Sequence, residues 1–525
     1  MKKISLLIIA LAATFALQAQ WTDDPINNNH IANCAPDAGE IYLSTDQENG
    51  DTYVQWTSSA SNGYGPSLQR LSFDGTPRWG ADGIRITGQD FYSYSEGIAM
   101  TATADHAVVS CFATANDQTV AVKIDSNGNY TWGAQGIALF NDNAFSRTEL
   151  VAGNDGGVWA LGFDYQRLYL QYINANGTLN PCITVDGNGY NVRYGKLTLG
   201  AENTVWLTYE KVTSSAGLYA AKEIYVVGYT TNGTQTGPAV KLMSTQTFQV
   251  TYLHYAIPDG NGGGYAYIWH PGIGGAFNTY VFHYNGEGAS TITEPDGIPV
   301  HSADPSNYYV EAYGTVDPVS HDLIIGYEQT DASTQSQSRV YVNRITSSGT
   351  KVWGDGIMVA DNIGVNYSNI RVDDFEDGSG FTVIYTKSSG SSPYISTVEA
   401  VGMDMNGNVL WTKTLNSTPY DRTLCRNTTG FNLGQNIVAW VNSTSGGLYA
   451  QNILPDGTMG ASNPDDTGIE EWTNDAVVTV LRVFNILGQP LQVKDMNELN
   501  TGVYILQGLT EDGRLVNQKV LINKK

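Results

Sequence analysis

The chain has 525 residues, among them 57 Gly, 32 Tyr and 11 Trp, and only 15% are charged. Its 51 acidic against 27 basic side chains leave a formal charge of −24, spread along the chain, a field that repels nucleic acid and anionic membrane surfaces. That balance suits solubility and, beyond it, calcium or cationic ligands.

Met1-Lys2-Lys3, the apolar run Ile4 to Ala13 and the stretch ending Leu17-Gln18-Ala19 are the three parts of a secretory signal peptide, residues 1–19, cleaved between Ala19 and Gln20. The first cysteine, Cys34, is remote from that site, which argues against a lipoprotein anchor. No later apolar stretch reaches the roughly 18 residues of a membrane helix, so no transmembrane segment is expected in the mature chain. In an exported chain Cys34, Cys111, Cys182 and Cys425 are expected to form up to two disulfides, with three connectivities open.

From residue 38 to 458 one pattern recurs: strand, tight turn, strand rich in Trp or Tyr, looser loop, strand, Asn-Gly or Asp-Gly, often a Trp, and a short strand. β-branched and aromatic residues suit pleated strands, and Gly, Asn and Asp suit turns. The glycine of the third turn recurs as Gly75, Gly128, Gly177, Gly233, Gly286, Gly349, Gly407 and Gly457, at intervals of 49 to 63 residues that average near 55. Asn-Gly and Asp-Gly at these places predict type I′ turns. Eight such units predict an all-β, eight-bladed (alternatively seven-bladed) β-propeller over residues 20–460, with an array of sandwiches as the competitor. Unit eight lacks the final Trp and strand, and Trp21 to Ile31 resembles them, so the N-terminal segment is expected to complete blade eight and close the ring.

Residues 461–525 open with a polar linker and continue as short strands, a small C-terminal β-sandwich by expectation. The order "VFNILGQPL", "ELNTGVYIL", "NQKVLINKK", carrying Gly488, Gln489, Leu499, Gly502, Tyr504, Lys524 and Lys525, resembles the C-terminal sorting domain of the type IX secretion system. The usual opening aromatic-Pro-Asn-Pro strand is represented only by Asn463-Pro464. The resemblance implies passage across the outer membrane, the secretion machinery as a partner, and a passenger secreted or attached to the outer cell surface.

Candidate chemistry is sparse. Asp373, Asp374 and Asp377 form the densest acidic cluster and are calcium candidates, set against a repeated hairpin turn at the same place in other units. Asp125 to Asn129 and Asp404 to Asn408 look like calcium loops but lack the EF-hand spacing. His254, His270, His283 and His301 cluster in unit five, yet His270 and His283 end antiparallel strands on opposite sides, against a shared zinc. No other cofactor is indicated, and no catalytic motif is present.

Trp79, Trp132, Trp353 and Trp411, with Trp56, Trp159, Trp206, Trp269 and Trp440 in second strands, are expected to pack between blades. The off-register Tyr308, Tyr309 and Tyr313 are better ligand candidates. The reading is a non-catalytic binding or adhesion propeller for an extracellular glycan or protein, with a polysaccharide-cleaving glycosidase or lyase as the alternative. Convergent carboxylates with a perturbed pKa in a central pocket distinguish the second from the first.

Overall fold

Turn chemistry decides where each strand ends. At Asp125–Asn129 the Gly128 N–H donates to the Asp125 carbonyl at 2.9 Å, and Asp125 Oδ1 accepts from the N–H groups of Asn127 and Asn129. Gly128 has a φ of 86°, whereas Asn127 is not in the left-handed region. The loop is therefore a type I turn closed by a left-handed glycine, not the expected type I′ turn, because the Asp125 carboxylate gathers the amides of the turn. In unit five the turning glycine is Gly288 (φ 79°), not Gly286: its N–H donates to Asn285, whose side chain also collects the amides of Glu287 and Ala289.

The computed structural model describes residues 21–460 apart from short internal stretches, and beyond them residues 479–485, 490–491, 502–509 and 515–522. It divides into two compact units, Met1–Gly460 and Ala461–Lys525. In the first, eight four-stranded antiparallel sheets form an eight-bladed β-propeller. Blade one is Gly39–Asp46, Asp51–Ala60, Gly63–Leu71 and Ile84–Arg85, and the following six blades repeat that order. The first strands of neighbouring blades pack on one another and so lie nearest the axis.

Blade eight is Cys425–Asn427, Asn436–Val441, Leu448–Ile453 and, as its outermost strand, Asn29–Ala32. The N-terminal strand thus completes the last blade, with Asn29 opposite Ala450 and His30 opposite Tyr449. The second unit holds one four-stranded sheet, in the order Pro490–Leu491, Thr479–Asn485, Gly502–Leu509, Leu515–Ile522. A second sheet, which a sandwich requires, is not among the described residues. No helix among them is long and apolar enough to cross a membrane.

One contact recurs around the ring. The indole N–H of an outer Trp donates to the first carbonyl inside the third turn of the next blade: Trp79 to Ser126 (3.3 Å), Trp132 to Ala175 (3.1 Å) and Trp411 to Pro455 (2.7 Å). Trp21 does the same to Phe73 of blade one at 2.8 Å, so it is the tryptophan missing from unit eight. A Cβ on Gly75 would lie 2.6 Å from the Trp21 ring, so the turn glycine is needed for room as well as for its φ of 82°. Where no Trp stands, Asn180 donates to Thr231 (2.7 Å) and Thr291 to Ser347 (2.5 Å).

Between the blades the seams are apolar. Trp56, Trp159, Trp206 and Trp440 are buried in them, as expected, whereas Trp269 is half-buried and stacks on Phe277 at 4.7 Å. Cys34 and Cys182 are free thiols, not joined to each other, and burial pushes each pKa up to about 11; the side chain of Cys425 lies outside the described residues.

Trp21 is 3% exposed, and Trp21→Ala should cost about 3–5 kcal/mol. The half-buried Trp79 should cost less on the same substitution. Thermal denaturation of the two variants measures both; a Trp21→Ala protein that melts like the parent would rule out the closing role.

Candidate functional site

The sequence-singled acidic cluster does not converge. Asp373 and Asp374 are adjacent on the first strand of blade seven, Val365–Asp374, and face opposite sides of it. Asp373 accepts from Asn436 Nδ2 of blade eight, and Asp374 from Thr315 Oγ1 of blade six at 2.6 Å. Asp377 caps the turn by accepting the Ser379 N–H. These carboxylates stitch blade seven to two different neighbours and cap its hairpin, and together they form no calcium cage. Among the described residues no three His, Cys, Asp or Glu side chains gather as for a metal ion.

The histidines are likewise separate. His270 pairs with Asn278 and His283 with Tyr265, at opposite ends of one antiparallel pair. His283 sits between Asp259 Oδ2 (3.0 Å) and Thr291 Oγ1 (2.6 Å). Burial would raise Asp259, but hydrogen bonds from His283, Asn261 and Gly263 outweigh it and hold the carboxyl below its usual range. His301 lies against the Tyr327 hydroxyl and the Asp355 carbonyl.

What does converge lies on the axis. In blades one, three, four and seven the first strand carries a β-bulge, immediately followed by Tyr42, Glu149, Lys196 and Arg371. Three of the bulges hold a non-glycine residue at positive φ: Glu40 (50°), Tyr194 (48°) and Asn369 (54°). Such a backbone costs on the order of 1 kcal/mol or more per residue and re-aims the next side chain.

From blade three to blade seven the innermost side chains touch in sequence. Glu149 pairs with Lys196, whose ammonium lies 5.8 Å from the centre of the Tyr255 ring. Tyr255 meets Tyr313 edge-on at 5.2 Å, and the Arg371 guanidinium stacks on Tyr313 at 3.7 Å. All five are half-buried. Burial, with the Tyr255 hydroxyl adding, pushes the Tyr313 phenol far above its ordinary range.

Beside this wall stand two carboxyl groups. Glu311 and Glu328 are direct cross-strand partners in blade six, which places their Cβ atoms about 4.5–5.5 Å apart on one face. Glu311 accepts from the Tyr313 hydroxyl and Glu328 from Thr330 Oγ1, both at 2.6 Å. Burial pushes Glu328 up to about 7, the Glu311 charge adds to the shift, and Thr330 opposes it. In blade four the buried Glu210 has Arg193 directly across the strand pair. Glu328 has no cation among its described contacts, and near neutral pH it holds a proton it can give or take.

Of the sequence candidates, only Tyr313 belongs to this wall. Tyr308 and Tyr309 lie on the same strand, but their side chains are outside the described residues, as are Ala19, Gln20, Gly488, Gln489, Leu499, Lys524 and Lys525. Gly502 and Tyr504 lie on a strand of the second unit. Glu311, Glu328, Lys196 and Arg371 were missed; the one available signal was the first-strand motif Glu-x-Tyr, present as Glu40-Ile41-Tyr42 and Glu311-Ala312-Tyr313, with the tyrosine bonded to the glutamate in both.

No family model and no curated protein matches the sequence. Solved structures do resemble it. Puromycin hydrolase is 11% identical with a TM-score of 0.42, over 81% of this chain and 62% of the hydrolase, so the chain spans about three fifths of that protein's length. A polysaccharide lyase is 10% identical with a TM-score of 0.39, over 85% of this chain and 95% of the lyase. An α-L-arabinanase from Penicillium chrysogenum, complexed with arabinobiose, is 12% identical with a TM-score of 0.33, over 64% of this chain and 98% of the arabinanase.

Glu328 ionises at a higher pH when folded than its ordinary value of 4.5. The unfolded chain therefore releases this proton first, and the group costs stability as pH rises from about 4.5 to about 7. Glu328→Gln should melt above the parent at about pH 8 and lose that advantage below about pH 5. A difference that does not vary with pH in calorimetric scans would refute the assignment.

Proposed function

We propose that this chain is an exported, surface-displayed or secreted binding propeller that takes an extracellular glycan or protein segment at its central channel. The channel wall from Glu149 to Arg371 supports this reading: ionic and aromatic side chains from five successive blades meet there half-buried, and three of them, Glu149, Lys196 and Arg371, directly follow bulges. Tyrosine edges and faces offer stacking, and the charged groups offer directed hydrogen bonds. Export rests on the signal peptide of residues 1–19 and on the likeness of residues 477–525 to type IX sorting domains, which makes the secretion machinery the second partner.

One observation favours a second reading. A carboxyl that stays protonated near neutral pH, Glu328, faces a carboxylate, Glu311, and such a pair supplies the acid and base of glycosidic cleavage. A glycan and protein array with the mature chain, followed by reducing-end assays on every hit, separates the two. The expected result is binding that Tyr255→Ala and Tyr313→Ala each weaken by about tenfold or more, without release of reducing ends. Release that Glu328→Gln abolishes would replace the binding reading with the enzymatic one. Culture fractionation tests export: a chain ending at Gly460 should remain in the periplasm, and its unchanged appearance outside the cell would sink the sorting role.

A further inference from the structure

Arg371 differs from the other channel-wall cation and from comparable arginines in the ring. Lys196 is neutralised by Glu149. Arg70 and Arg344, which bridge blades at the third turns, each hold a carboxylate, Asp51 and Asp322 respectively. Among the described residues Arg371 has one side-chain hydrogen bond, from Nη1 to the carbonyl of its own neighbour Ile370 at 2.7 Å, and no ion pair. A guanidinium carries five donors and remains charged, so most of its hydrogen-bonding capacity is unused here. In a chain of net charge −24, carboxylates are the commonest ionised groups, and a half-buried cation lacking one stands out.

The backbone holds it there. The bulge between Ser368 and Arg371, with Asn369 at a φ of 54°, breaks the alternation of the strand. Ile370 and Val372 on either side are buried in the seam with blade six. The guanidinium plane lies on Tyr313, and stacking of that kind orients the planar fork while leaving its edge free for a bidentate acceptor. Beside it Glu311, bonded to the Tyr313 hydroxyl, presents a carboxylate, and Tyr255 and Tyr313 present ring surface. Carboxylates accept from hydroxyls and repel further anions. A saccharide that offers hydroxyl donors beside each acid group satisfies this arrangement, and an acidic peptide, which offers no such hydroxyls, does not.

We infer that the channel recognises a carboxylated saccharide, a uronic-acid glycan, with Arg371 as the seat of its carboxylate. This deepens the binding reading above and rests on it. The acid group completes the missing half of the Arg371 ion pair, and the ring hydroxyls donate to Glu311.

Titration calorimetry on the mature chain tests it with oligogalacturonate and oligomannuronate, neutral galacto- and manno-oligosaccharides of equal length, and oligoglutamate. At least one uronate should bind about tenfold or more tighter than its neutral counterpart. Arg371→Gln should erase that preference while keeping the parent melting temperature, and Arg371→Lys should restore part of it. Equal affinity for acidic and neutral sugars, with both weakened by Tyr255→Ala, would overturn the inference and leave the channel reading intact. A preference that survives Arg371→Gln, tighter binding of oligoglutamate, or binding of neither sugar class would also overturn it, the last together with the glycan half of the channel reading.

Discussion

The ring depends on a clasp between one indole and the turn of the next blade. The Trp N–H satisfies a turn carbonyl, and the ring covers the glycine that makes the turn. A single hydrogen bond of this type contributes about 1 kcal/mol; its value lies in repetition and position. It joins outer elements, whereas the apolar seams join inner ones, so each blade is held at both radii. Asn180 and Thr291 show that donor chemistry persists where the aromatic ring does not.

The fold was legible because its constraints are local and repeated. The positive φ of the turn glycines, the Trp four residues after Gly75, Gly128, Gly349 and Gly407, and the displaced Trp21 are all written at fixed spacing. Even the closing strand was readable, since a missing piece and a surplus piece match. The errors were equally local. Asn-Gly suggested a type I′ turn because the dipeptide alone does not show that a carboxylate three residues before the glycine organises the loop. Asn285-Gly286-Glu287-Gly288 offered two glycines, and only the reach of the Asn285 side chain selects the second.

The channel wall was nearly illegible for a different reason. Its residues come from five blades, and in blades four and seven the register is shifted by bulges at which Tyr194 and Asn369, not a glycine, take up the left-handed backbone. A strand read by simple alternation assigns Arg371 to the wrong face. The acidic run at Asp373 to Asp377 drew attention by density, but a strand sends adjacent carboxylates to opposite neighbours. Composition likewise concealed the site. A net-negative chain places Arg371, which has no ion pair among the described residues, where bulk charge predicts repulsion of acids, so local geometry and long-range field point in opposite directions.

The seam in blade eight has a mechanical consequence. Gly460 donates to and accepts from Asn452, and lies against Asp23, so the chain leaves the ring where it entered. The strand before it, Leu448–Ile453, is hydrogen-bonded on both edges, to Asn436–Val441 and to Asn29–Ala32. Tension applied through the C-terminal side therefore enters the propeller at an interior strand, with no exposed edge to peel. A protein tethered by that end to a moving surface would transmit shear into the whole ring before any blade opened.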